Sequence, residues 1–294
     1  GITSKKGGDI RRTSDYGHKR TGTVPASTPI NVAARRSMTV REVKPTNAHL
    51  AVDVAVLRYA ADIYDEDLFL VSEDFSAWFN QFGTHASEWF KTCFLWLRRS
   101  LGELVPAWIM EYVMGFGMTP SSGIAQRFSD ALIWLLLLRF DSEEGSRLDA
   151  ETIPSRRAYL ADRARLPASF QRVLWALRCF TDDSYMACVG AARTSRLLQA
   201  WGTLTSSIGV ITKAIKRQAG CCILWNGAYT NAFLAHQVIP PEKALRVVLV
   251  LSSLLSGSPV PFATYRSVMG LVAHLRQILR ARKLSTYGMY RPFV

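Results

Sequence analysis

Residues 179–190 read CFTDDSYMACVG. Two aspartates, Asp182 and Asp183, stand side by side between two short runs of strand character, 172–180 and 184–189. Adjacent carboxylates at a hairpin tip repel one another unless a cation lies between them. A divalent ion relieves that repulsion, and carboxylate oxygens are the ligands that hard Mg²⁺ takes. Asp is also a common turn residue, so the pair by itself reads equally well as a polar turn. Working outward, residues 67–82, DLFLVSEDFSAWFNQF, hold a third carboxylate in a related setting. Residues 68–72 predict a buried strand closed by Glu73 and Asp74, and a strand end holds such a group rigidly enough to ligate a metal.

The rest of the composition is consistent with a charged ligand. The chain has 294 residues, 49% of them hydrophobic, which suffices for one large domain or two to three lobes. Its formal net charge is +13, unevenly placed: beyond Asp183 thirteen basic residues face one acidic residue, Glu242. Such a split points to a polyanionic partner, above all nucleic acid. Cys93, Cys179, Cys188, Cys221 and Cys222 have neither zinc nor disulfide spacing and predict small buried hydrophobes in a reducing, intracellular compartment. The five histidines show no metal-ligand spacing. The apolar runs 131–138 and 247–251 are too short to span a bilayer, so no membrane is expected. There is no signal peptide, and a start at Gly1 predicts a chain cut from something longer.

Local patterns predict the elements. Residues 1–16, with Lys5, Lys6, Arg11 and Arg12 around a Gly7–Gly8 tip, predict a basic hairpin, which by itself reads first as an exposed basic turn and second as a tip able to close on a triphosphate. Residues 21–31 predict an extended loop, and 46–61 and 88–101 predict helices. Gly115 and Gly117 predict a loop ahead of a helix that starts near Pro120 and runs to about Phe140. Residues 141–169 read as a polar insertion with one or two short helices, and 191–204 as a helix. A strand over 221–228 turns at Asn226–Gly227 and pairs with 229–234. After Pro240–Pro241, residues 243–255 and 263–279 predict two helices with cationic faces.

Taken in order, these segments resemble a retroelement reverse transcriptase over most of the chain. KKGGDIRRTSDYG resembles the fingers motif, on which match Lys6 and Arg11 grip the incoming triphosphate. LVSEDFSAWF resembles the first palm motif, with Asp74 on the metal and Phe79 where the family keeps an aromatic steric gate. GFGMTPSSGIAQ resembles the nucleotide- and template-facing loop, with Gly117 and Gln126 in register; Phe116 stands where the family's usual glutamine would be. FTDD is similar to the family's aromatic-x-Asp-Asp, which places Asp182 and Asp183 on the metals. Lys216 and ILWNG resemble the lysine-bearing motif and the primer grip, so that Trp225 and Gly227 would face primer and template. VIPPEK looks like the start of a thumb, whose Arg276, Arg280 and Lys283 would track the nucleic-acid backbone.

The resemblance implies an α/β (α+β) right-hand polymerase. Its parts are fingers (1–48), a palm (49–235) with a ferredoxin-like antiparallel sheet, and a helical thumb (236–294). The palm would carry a fingers insertion at about 83–115 and the polar insertion at about 141–169. It implies an RNA-directed DNA polymerase, a nucleotidyltransferase that uses two ions, Mg²⁺ or Mn²⁺, on Asp74, Asp182 and Asp183. Lys216 would act as general acid toward pyrophosphate. Expected partners are an RNA template, a DNA or RNA primer and deoxynucleoside triphosphates. Whether RNase H and other domains of a longer polyprotein follow is left open. The Phe116 departure suggests a divergent retrotransposon. Two alternatives stand beside this: a viral RNA-dependent RNA polymerase, against which an aromatic at position 79 argues, and a decayed copy that only binds nucleic acid.

Overall fold

A computed structural model gives the architecture and describes residues 2–4, 10–12, 43–87, 89, 93–100, 103–115, 119–166 and 174–278. The expected N-terminal hairpin consists of β1 (Ile2–Ser4) and β2 (Ile10–Arg12), antiparallel and in register from Ile2↔Arg12 to Ser4↔Ile10. Helix α1 (Asn47–Tyr64) leads to the central strand β3 (Leu68–Asp74). Strands β4 (Cys93–Ser100) and β5 (Glu103–Met110) form a hairpin of their own. Helices α2 (Thr119–Asp149) and α3 (Pro154–Ala164) precede β6 (Trp175–Phe180) and β7 (Asp183–Val189). Helix α4 (Ala191–Ser207) is followed by β8 (Gln218–Gly220), β9 (Cys222–Trp225), β10 (Ala228–Asn231) and β11 (His236–Val238). Helices α5 (Pro241–Leu255) and α6 (Phe262–Ile278) come last.

The central sheet is antiparallel throughout, with the spatial order β6-β7-β3-β8. Along the chain it is built as β-α-β-β-α-β, with α2 and α4 as the connecting helices, which is a split β-α-β arrangement. Leu70, Val71, Ser72 and Glu73 of β3 are all buried, so both faces of the sheet are covered. Partners across a register share a face. The face with Glu73, Ser184 and Trp175 meets α4 through Trp201 and α2 through Phe140, whose ring lies edge-on to Trp175. The face with Asp74, Asp183, Tyr185 and Arg178 meets α1 through Asp53 and the β9–β10 turn through Trp225.

Three expectations are corrected, and one strand that the sequence did not indicate is added. Residues 93–100 are a strand, not part of a helix over 88–101: CFLWLRRS is a run whose periodicity does not separate the two, and an eight-residue ladder onto a segment with Val105 and Ile109 decides it. Helix α2 does not stop at Phe140 but continues to Asp149, through the first part of the polar insertion. It can do so because the charges there have partners. Asp141 accepts from Trp175 Nε1 at 2.8 Å, and Glu144 is buried against Arg196 at 2.6 Å and Arg147 at 2.6 Å. Of the cysteines, Cys179 and Cys188 are buried but Cys221 and Cys222 are exposed: Cys222 opens β9 on the face away from the buried Ile223, and Cys221 stands just before the strand. Finally, Gln218–Gly220 is the fourth strand of the central sheet, a three-residue element too short to show in the sequence pattern.

Candidate active site

Strands β3 and β7 pair so that Asp74 stands opposite Asp183, and Phe180↔Asp183 closes the β6–β7 hairpin with Thr181 and Asp182 as its two turn residues. The end of β3 is pinned on both sides. Phe75 N–H donates to Asp182 O at 2.8 Å, and Lys213 N–H donates to Asp74 O at 2.8 Å. Three carboxylates are therefore gathered at one end of one sheet. Burial, followed by the charges of Asp74 and Asp182, pushes the Asp183 carboxyl up to about 7. Lys216 Nζ donates to Asp74 Oδ2 at 2.8 Å, and Lys213 Nζ lies 3.5 Å from the same oxygen. That hydrogen bond raises the Lys216 pKa. As the side chains stand, no group of three or more His, Cys, Asp or Glu among the described residues is arranged to hold a metal ion.

The turn itself is unusual. Thr181 has φ 59°, in the left-handed region that a β-branched residue seldom adopts, and it is buried. Helix α2 supplies its partners. Thr181 N–H donates to Gln126 Oε1 at 2.8 Å, Gln126 Nε2 donates to Cys179 O at 2.8 Å, and Ser129 Oγ donates to Thr181 O. Gln126, expected to face a nucleotide, is thus buried with its amide spent on the hairpin backbone.

Trp225, expected to face primer and template, is also placed otherwise. It is fully buried, edge-on to Tyr185, and its Nε1–H donates to Asp183 O at 3.1 Å. Gly227 lies at the β9–β10 turn with φ 76° beside Asn226 at φ 42°, and its carbonyl accepts from Lys243 Nζ at 3.0 Å. A backbone hydrogen bond from Asn226 acts on the Asp183 carboxylate in the opposite sense to burial. Phe79 sits on a single 3₁₀ turn, Trp78–Gln81, directly after the Asp74 strand end, half-buried against the core. Arg11 lies in β2 and Arg276 in α6. Lys6, Gly117, Arg280 and Lys283 lie outside the described residues.

Several contributors escaped the sequence reading. Asp53 of α1 is fully buried, accepting from Tyr185 Oη at 2.6 Å and Arg178 Nε at 2.8 Å. Its signal was present: one carboxylate between Leu50, Val54 and Leu57 on an apolar helix face needs partners. Glu73 is likewise buried, between Trp201 Nε1 at 2.7 Å and Arg217 at 2.7 Å. Lys44, ahead of α1, donates to Thr181 Oγ1 at 2.8 Å and Ser122 Oγ at 2.5 Å, a contact that no local pattern announces.

The fold is similar to that of a reverse transcriptase. A foamy viral protease-reverse transcriptase solved with double-stranded DNA superposes with a TM-score of 0.54 at 12% identity, covering 94% of this chain and 35% of that one. The chain thus spans about a third of that protein's length. A second foamy viral protease-reverse transcriptase structure, with an RNA/DNA hybrid, gives 0.47 at 14% identity over 76% of this chain and 23% of that one. Apo telomerase from Candida tropicalis gives 0.39 at 11% over 85% and 47%. No family model matches the chain, and neither does any curated protein. Among the described residues no helix is long and apolar enough to cross a membrane.

Proposed function

We propose that the chain is the polymerase core of a divergent retrotransposon reverse transcriptase, which extends a DNA or RNA primer with deoxynucleotides on an RNA or DNA template. The observation that carries this is the pairing of Asp74 with Asp183 beside Asp182, at one end of an antiparallel sheet in a strongly basic chain. In this reading the sheet β6-β7-β3-β8 with α2 and α4 is the palm, residues 1–48 and 83–115 belong to the fingers, and α5 and α6 to the thumb of a longer polyprotein.

The donor set suits a hard divalent cation: three carboxylates, two of them consecutive, where burial and then mutual repulsion drive the Asp183 carboxyl toward neutrality. Asp74, Asp182 and Asp183 would hold Mg²⁺ or Mn²⁺, and two such ions would supply activation of a primer 3′-hydroxyl and charge neutralisation on the triphosphate. To hold an ion, Asp74 would have to give up its bond with Lys216. Lys216 would then be free to donate a proton to the leaving pyrophosphate. Lys6 and Arg11 are proposed to neutralise the triphosphate from the fingers.

Extension of a labelled primer on an RNA template, with Mg²⁺ or Mn²⁺, tests the proposal. Asp182→Asn should abolish extension and leave primer–template affinity within about twofold of wild type. Substantial extension by this variant would sink the carboxylate assignment.

A further inference from the structure

Nothing in the proposed chemistry uses the groups gathered around Thr181. At φ 59° this position favours glycine, which would sit there without strain and without support. The chain has a threonine instead, and surrounds it. Its N–H, carbonyl and hydroxyl are bonded to Gln126, Ser129 and Lys44 respectively, three side chains from two separate segments. A strained residue persists only where its surroundings over-determine it. Two of the three supports come from α2 and are buried with it. The third, Lys44, is half-buried and lies 137 residues from Thr181 in sequence. Its ammonium also ties to Ser122 Oγ in the first turns of α2 and lies 5.0 Å from the centroid of the Phe180 ring. One cation thereby joins the segment before α1, the start of α2 and the hairpin tip whose next two residues are Asp182 and Asp183.

We infer that Lys44 is a positioning residue, acting through the Thr181 hydroxyl to fix where Asp182 and Asp183 are held. The inference rests on the reading of those two carboxylates as metal-holding groups. A charge-assisted bond to a turn residue is among the stronger single hydrogen bonds, and a misplaced pair of carboxylates loses shared ligation before it loses fold.

The test is a double-mutant cycle with Lys44→Met, Thr181→Val and the double variant, plus Lys44→Arg as the conservative change. Two quantities are read: Mn²⁺ affinity by calorimetry without nucleic acid or turnover, and kcat and KM for single-nucleotide incorporation. Each single variant should lose about tenfold in Mn²⁺ affinity and in kcat, with the KM for primer–template within about twofold. The double variant should be no worse than the worse single, and Lys44→Arg should recover most of the loss. Multiplying losses in the double variant would show that Lys44 acts elsewhere, and singles equal to wild type would show that it positions nothing; either overturns the inference. Should Thr181→Val not fold, the contrast between Lys44→Met and Lys44→Arg decides in the same way. A wild type that binds Mn²⁺ in a Lys44-dependent manner but makes no DNA would overturn the polymerase reading and uphold this one. A wild type that makes DNA as well as its Lys44→Met variant does the reverse.

Discussion

Asp183 bears a load that its neighbours impose. Burial and the carboxylates of Asp74 and Asp182 raise it from 3.8 to about 7. Below about pH 4 the group is protonated in folded and unfolded chains alike. Between about pH 4 and 7 the unfolded chain releases this proton and the folded chain keeps it, so stability falls as pH rises through that window. In urea titrations of the metal-free protein the loss should amount to roughly 2–4 kcal/mol, and Asp183→Asn should remove most of that pH dependence. An unchanged slope in the variant would mean that other groups carry the load. A second residue, Phe79, follows the Asp74 strand end closely enough to come beneath a bound sugar in the proposed reading. A phenyl ring offers a 2′-hydroxyl neither room nor a hydrogen bond, at a cost of about 1–3 kcal/mol. Phe79→Val should therefore admit ribonucleotides by roughly ten- to a hundredfold in matched incorporation assays. A wild type that already uses both sugars equally would favour an RNA polymerase instead.

Helix α1 is fastened to the sheet by more than apolar packing. Asp53 is its anchor, holding Tyr185 of β7 and Arg178 of β6 beneath the carboxylate end of the sheet. Asp53→Ala leaves a guanidinium and a hydroxyl without their carboxylate and should cost about 3–5 kcal/mol in chemical unfolding. The exposed i,i+4 pair Arg58–Asp62 on the same helix is a control, since Asp62→Ala should stay within about 0.5 kcal/mol. Equal effects would mean that the buried network adds nothing. Elements with strong local signals were legible: α1 from its apolar spacing, β7 from its unbroken apolar run, and the β9–β10 turn from Asn226–Gly227. The β4 strand and the far end of α2 were not, since each depends on a partner segment that local pattern does not name.

At the scale of the molecule, charge is the dominant asymmetry. Nearly all of the net +13 falls after Asp183, in the region that includes α5 and α6. If that lobe tracks a phosphate backbone, each contact removed should reduce the slope of log K against log salt by about one. Replacing Arg276, Arg280 and Lys283 with Ala should weaken primer–template binding on every sequence and flatten that slope by about three. An unaltered salt dependence would place these side chains in solvent.

What the sequence determined by itself was local or additive: alternation that makes strands, turn residues that close hairpins, carboxylates that end strands, and a positive charge concentrated after Asp183. These depend on neighbours within a few residues or on composition alone. Only the tertiary structure decided that Gln126 spends its amide on a turn backbone, that Trp225 lies under Asp183 rather than facing outward, and that Lys44 reaches Thr181. Each of those contacts joins residues 42 to 137 positions apart. A polar side chain at such a position has many conceivable partners, and packing of the sheet against its helices selects one of them.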